Sequence, residues 1–134
     1  MIAMLDPKTL TVLVTGATAG FGAALARRFA EAGSRVIATG RRAQRLDALQ
    51  RELGERCHTA VLDVRDRRAV EATLAGLPGA FAGINVAVAN AGLALGLEPA
   101  QRADLDDWDD MVATNINGLL YTVRARARHW RPRH

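Results

Sequence analysis

The sequence predicts an α/β fold, a doubly wound parallel sheet of about four strands with helices on both faces. Two observations carry that expectation. Short β-branched apolar runs alternate with segments whose apolar residues recur near every 3.6 positions, and each interval between runs is long enough for a crossover helix. A glycine-rich turn also stands between the first run and the first helical segment, where an α/β sheet binds its ligand.

The first strand is read over residues 10–15 (LTVLVT), ended by Gly16. From Gly20 the period changes, with Phe21, Leu25, Phe29 and Ala32 on one helical stripe, Arg27, Arg28 and Glu31 off it, and Gly33 as the stop. Residues 35–39 (RVIAT) form the second strand, followed by a helix carrying Leu46, Leu49 and Leu53 and ending near Gly54. Residues 57–62 (CHTAVL) are the third strand. Asp66 is placed to cap a helix bearing Val70, Leu74 and Leu77, which Pro78 and Gly79 stop. Residues 84–89 (INVAVA), apolar on both faces as in a central strand, are the fourth. A last helix begins at about Asp104, with Asp106 and Asp107 in its first turn and Trp108, Met111, Val112 and Leu119 as its buried stripe.

At 134 residues, 49% of them hydrophobic, the chain suits one domain with its own core. No run approaches the roughly 18 apolar residues of a membrane span, and the first eight residues lack the layout of a secretory signal, so a cytoplasmic protein is expected. The net charge of +4 comes from the end: Arg124, Arg126, Arg128, Arg131 and Arg133 lie in the last eleven residues, and setting them aside leaves 13 basic against 14 acidic residues. The body, residues 1–123, is therefore read as a partial dinucleotide-binding domain, and residues 124–134 as a basic, irregular tail. Cys57 and His58 have no second ligand pair at metal spacing and are read as packing and surface positions, with no metal site.

Chemistry concentrates in the turn Thr15-Gly16-Ala17-Thr18-Ala19-Gly20-Phe21-Gly22. Glycines let the chain turn sharply, bring a pyrophosphate near the backbone and seat the helix against the strand, while the helix N-terminus offers free N–H groups and the positive end of its dipole. The spacing G-x-x-x-G-x-G differs from G-x-G-x-x-G, and no Gly-Lys-Ser/Thr follows to make a P-loop. With a strand before it and a helix after it, the turn predicts a Rossmann-type dinucleotide site, with strand order 3-2-1-4. About 20 residues on, where an NAD site carries a ribose-binding carboxylate, the chain reads Thr39-Gly40-Arg41-Arg42. Two guanidiniums there favour a 2′-phosphate, hence NADP; a solvated helix start is the other reading.

The turn, the pair Asp63-Val64 after the third strand, Asn90-Ala91-Gly92 after the fourth, Trp108, and Thr114-Asn115-Ile116-Asn117-Gly118 together resemble the short-chain dehydrogenase/reductase family over residues 10–121. Residues 16–21, 38–42 and 91–99 look most like its NADP-dependent 3-hydroxy acid dehydrogenases, which act on serine, allo-threonine and related small hydroxy acids. The resemblance implies that Gly16, Ala17, Thr18, Ala19, Gly20, Phe21 and Gly22 form the phosphate turn. It places Arg41 and Arg42 at the 2′-phosphate, Asp63 and Val64 at adenine, and Asn90 with Ala91 and Gly92 beside the nicotinamide ribose. Asn115 matches the asparagine that helps hold a proton-relay water, although a satisfied polar residue on the buried stripe is the commoner reading of the residue alone. Asp63 as a turn cap and Asn90 and Gly92 as shapers of the strand exit also stay open. Ala89 departs from the family's Asn-Asn-Ala-Gly and puts a backbone-bracing hydrogen bond in question.

The family's catalytic serine, tyrosine and lysine find no counterparts. The only tyrosine, Tyr121, is followed four positions on by Ala125, and the only lysine is Lys8. The expectation is an oxidoreductase by descent whose cofactor half alone is present, inactive by itself, with the tail arising from a frameshift. A non-catalytic dinucleotide-binding fragment is the alternative, and nucleic-acid binding through the arginine tail with Trp130 stacking is a more remote one. An exposed fourth strand further predicts marginal stability and aggregation, and the homo-oligomer usual in the family is doubtful for this chain.

Overall fold

β1 (Thr11–Val14) is buried along its whole length, which is why four consecutive apolar or β-branched side chains can stand there without a polar alternation. In the computed structural model, which describes residues 5–93, 95 and 98–128, β1 pairs in parallel with β2 (Arg35–Gly40) on one side and β4 (Val86–Val88) on the other. β3 (Cys57–Val61) pairs in parallel with the far side of β2. The sheet order is β3-β2-β1-β4, as expected.

Successive residues of β1 and β2 point to opposite faces and seed two cores. Val12, Val14, Val36 and Ala38 face α1 (Gly20–Glu31) and α2 (Ala43–Leu53), meeting Ala26, Ala30, Leu46 and Leu49. Leu13 and Ile37 face the other way, toward Val70 and Leu74 of α3 (Arg67–Ala75) and toward Phe81 and Ala125. α3 starts where Asp66 predicts, its carboxylate accepting from the Ala69 amide at 3.1 Å. Leu77 lies past its end, which falls at Ala75. β3 and β4 are shorter than read because the ladder ends at Val61 and spans only Val86–Val88.

Two helical stripes differ from expectation. On α1 the buried residues are Gly22, Ala23, Ala26 and Ala30, whereas Phe21 is 84% exposed and Ala32 is exposed. The helix begins so close to the glycine turn that a Cβ at Gly22 would overlap the Gly16 carbonyl, so only small side chains can face the sheet. The last helix is also two helices, α4 (Leu105–Val112) and α5 (Gly118–Arg128), joined by a π turn over Ala113–Asn117. Each residue advances an α-helix by about 100°, so the wider turn throws the stripe out of phase. The residues read as a buried stripe are not buried on either side of the turn: Trp108 and Val112 before it and Leu119 after it are 41%, 48% and 43% exposed.

The boundary expected at residue 124 falls inside α5, and Ala125 is buried in the second core. Ala125 lies on the core, whereas Arg124 and Ala127 are exposed and Arg126 is half-buried. The expected irregular tail is thus helical up to Arg128. Trp130, Arg131 and Arg133, together with Ala94, Gly96 and Leu97, lie outside the described residues.

Candidate functional site

The strands run parallel, so their carboxyl ends share one edge and the loops leaving them converge. Their cleft has a volume of about 210 Å³. β1 contributes Gly16, Thr18 and Ala19, β2 contributes Gly40, Arg41 and Arg42, β3 leads into Leu62, Asp63 and Val64, and β4 into Asn90, Ala91 and Gly92. This crevice beyond the strand ends is where open α/β sheets bind ligands.

The glycine turn is held from three sides. Ala17 N–H donates to the Thr39 carbonyl at 2.9 Å, Thr15 N–H to the Val88 carbonyl at 3.0 Å, and Asn90 Nδ2 to the Gly16 carbonyl at 3.2 Å. Thr15 Oγ1 accepts from Ala91 N–H at 3.1 Å, tying the exit of β4 to the turn. Asn90 thus braces the backbone although Ala89 stands where the family pattern has another asparagine. Gly16 has φ of +65°, and a Cβ there would come within 2.8 Å of Ala91 Cα. No side chain caps the N-terminus of α1, which leaves first-turn N–H groups to an anion.

Of the residues expected to contact phosphate, Ala17, Gly20, Phe21 and Gly22 do not line the cleft. Ala17 is buried beneath the turn, and Gly22 fills the space between turn and helix. The Arg41 and Arg42 side chains are exposed at the rim, and neither makes an ion pair among the described residues. Sequence reasoning missed four neighbours. Leu62 lines the cleft without a distinctive motif, and Thr114, which opens the family motif at residues 114–118, had been given no place in the cleft. Gly40 leaves room for Thr18, whose methyl a Cβ would strike. Arg65 is the fourth.

Arg65 grips Asp63. Its Nη2 donates to Asp63 Oδ2 at 2.7 Å, its Nε to Oδ1 at 3.0 Å and Oδ2 at 3.1 Å, and its backbone N–H to Oδ1 at 3.0 Å. The guanidinium holds the Asp63 carboxyl below the usual carboxylate range, against partial burial, and Arg41 adds a smaller pull in the same direction. A longer contact at 3.4 Å joins Arg65 to Asp110 on α4.

Asn115, in the π turn, is exposed rather than on a buried stripe. Its Oδ1 accepts from Leu93 N–H at 2.7 Å and its Nδ2 donates to the Leu93 carbonyl at 2.8 Å. Away from the cleft, Cys57 is buried, with its thiol pushed up to about 11 by desolvation, and the His58 ring lies 5.6 Å from that of Phe81.

A family model described as short chain dehydrogenase matches residues 10–134. The chain belongs to the short chain dehydrogenase family. A NADP-dependent 3-hydroxy acid dehydrogenase, YdfG of Salmonella typhi, is 60% identical over 116 residues, which are 87% of this chain and 47% of that protein. A serine 3-dehydrogenase of Agrobacterium fabrum is 56% identical over 110 residues, 82% of this chain and 44% of its own length. The structure described as the closed form of serine dehydrogenase complexed with NADP+ superimposes with a TM-score of 0.86 at 53% identity, covering 88% of this chain and 48% of that one. Serine dehydrogenase from Escherichia coli gives 0.85 at 53% identity, covering 88% and 55%. The chain thus spans about half the length of the relatives it matches.

Proposed function

We propose that this chain is the NADP-binding part of an oxidoreductase that moves hydride between NADP and a small hydroxy acid such as serine, and that it is inactive by itself. The cleft's donor set carries the reading: an uncapped helix N-terminus beside a turn with no room for a side chain at Gly16 or Gly22, and two guanidiniums at the end of β2 that make no ion pair among the described residues. The first fits a pyrophosphate and the second a 2′-phosphate. The relatives' NADP dependence and their hydroxy-acid substrates support the same reading.

Bound NADP would supply or accept the hydride. In this reading Gly16, Thr18 and Ala19 form the phosphate cradle, Arg41 and Arg42 hold the 2′-phosphate, Asp63 and Val64 bound the adenine, and Asn90, Ala91 and Gly92 wall the nicotinamide ribose. The two residues nearest in type to the family's proton-transfer pair sit elsewhere. Lys8 precedes β1 and contacts Gly33, at the end of the sheet opposite the cleft, and Tyr121 packs into the core beside α3. Asn115 acts in this scheme by holding the loop at Leu93. A cytoplasmic location is part of the proposal; among the described residues no helix is long and apolar enough to cross a membrane.

Calorimetric titration tests the binding. NADP is expected to bind at least about tenfold more tightly than NAD, a preference that Arg41→Ala with Arg42→Ala removes, since a charged hydrogen bond is worth about 1.5–3 kcal/mol. Equal affinity for the two dinucleotides overturns the NADP assignment. A turnover assay with NADP and serine tests the rest, because activity above the no-enzyme rate contradicts inactivity.

A further inference from the structure

We propose that Arg65 is a positioning residue, which fixes the Asp63 carboxylate so that it accepts a hydrogen bond from the exocyclic amino group of adenine. The inference rests on the NADP reading of the cleft and adds a residue that does not line it.

Three features lead to it. Asp63 faces the cleft between Leu62 and Val64, whose side chains are buried at 5% and 6% exposure in the second core. The backbone at Asp63 is therefore anchored on both sides by apolar packing, and what Arg65 controls is the carboxylate's orientation. Second, the fork is complete: Nε, Nη2 and the backbone N–H of Arg65 all donate to that one carboxylate. A carboxylate has about four lone-pair positions and no donor. The three N–H groups make four contacts only because Nε–H is shared between the two oxygens, at 3.0 Å to Oδ1 and 3.1 Å to Oδ2; counted as one donor it leaves roughly one position, on Oδ2, for an N–H in the cleft. Third, an ionised carboxylate can only accept, so it selects the purine that carries an amino group and disfavours one that presents a carbonyl there. The lowered pKa of Asp63 agrees with that state.

The discriminating probe is nicotinamide hypoxanthine dinucleotide phosphate, which differs from NADP by a carbonyl in place of the adenine amino group. Calorimetry on the whole chain should give the natural sequence a preference for NADP of about tenfold or more. Arg65→Met should reduce the ratio to within about threefold, Arg65→Lys should fall between, and in an Asp63→Ala background Arg65→Met should change the ratio no further. Thermal melts of each variant check that it folds, and Arg65→Lys keeps the charge if the methionine variant does not. An equal loss for both dinucleotides, with the ratio kept, makes Arg65 merely structural and overturns the proposal. A natural chain that binds both alike also overturns it, by removing the contact to be positioned. A natural chain that binds neither is a different result, the failure of the NADP reading itself.

Discussion

Asn115 closes a two-point clamp on Leu93, its amide oxygen accepting from the Leu93 N–H at 2.7 Å and its amide nitrogen donating to the Leu93 carbonyl at 2.8 Å. The side chain mimics a strand neighbour and fastens the loop that follows β4 to the π turn between α4 and α5. Because Asn115 is exposed, water can replace both bonds, so Asn115→Ala should cost no more than about 1 kcal/mol. Its main effect should be local, a roughly fivefold faster hydrogen exchange at the Leu93 amide. Asn115→Asp keeps an acceptor but loses the donor, and should fall between. Unchanged exchange at Leu93 would refute the clamp.

Gly22 and Gly20 should respond differently to alanine. At Gly22 the added methyl overlaps the Gly16 carbonyl and crowds Asn90 Nδ2, so helix and turn must separate, at about 1–3 kcal/mol or more. At Gly20 the space is open and only the φ of +58° resists, at about 1–2 kcal/mol. Urea denaturation measures stability, and NADP titration measures the cradle. The Gly22 variant should lose binding even where it remains folded, whereas the Gly20 variant should lose mainly stability.

Asp63 should contribute to acid sensitivity. Its pKa in the folded chain lies below the ordinary 3.8, because the Arg65 fork stabilises the carboxylate. That contribution is fully present above 3.8 and is lost as the pH falls through the depressed folded value. Both side chains are about one-third exposed, and solvent screening limits the effect to less than about 1 kcal/mol. Urea midpoints measured from about pH 6 down to about pH 2 should fall less steeply for Asp63→Asn than for the natural chain.

The order of strands and helices was legible because period 2, period 3.6 and glycine stops are properties of the sequence itself. So were the Asp66 cap and the loops that meet at the cleft. The buried stripe of α1 was not, because Ala23, Ala26 and Ala30 carry little hydrophobic signal beside Phe21 and Phe29, and close approach to the sheet decided which side faced inward. The π turn escaped as well, since a wider turn leaves composition unchanged while rotating everything after it. Arg65 stands two residues from Asp63 in a loop, where no periodicity marks a pair, and the partner of Asn115 is main chain, which no side-chain pattern reveals.

Cys57 should be inert until the chain unfolds. Its side chain is buried, and desolvation raises the thiol to about 11. At pH 7.5 that leaves roughly three thiolates in ten thousand, against about one in ten for a free cysteine. Labelling by an aromatic disulfide reagent should therefore be at least about a hundredfold slower than in urea. Rapid labelling of the folded chain would show that β3 opens readily.

The chain should self-associate, and the α4–α5 face should dominate over the sheet edge. Leu105, Trp108, Val112, Ile116, Leu119, Leu120 and Val123 are all between 41% and 67% exposed. An apolar surface of that extent is unusual on a monomer. β4 also has β1 as its only strand neighbour among the described residues, but it spans just Val86–Val88 and so offers few hydrogen bonds to an incoming strand. Burying even two of the large side chains on the helices is worth about 3–6 kcal/mol, more than so short an edge provides. Sedimentation velocity should show mass rising with concentration, and Leu120→Lys with Val123→Lys should weaken association at least about tenfold without lowering the melting temperature. Ala87→Lys, on the exposed position of the edge strand, should weaken it less. The opposite ranking would place the contact at the sheet edge, and a chain that stays monomeric at every concentration would rule out both.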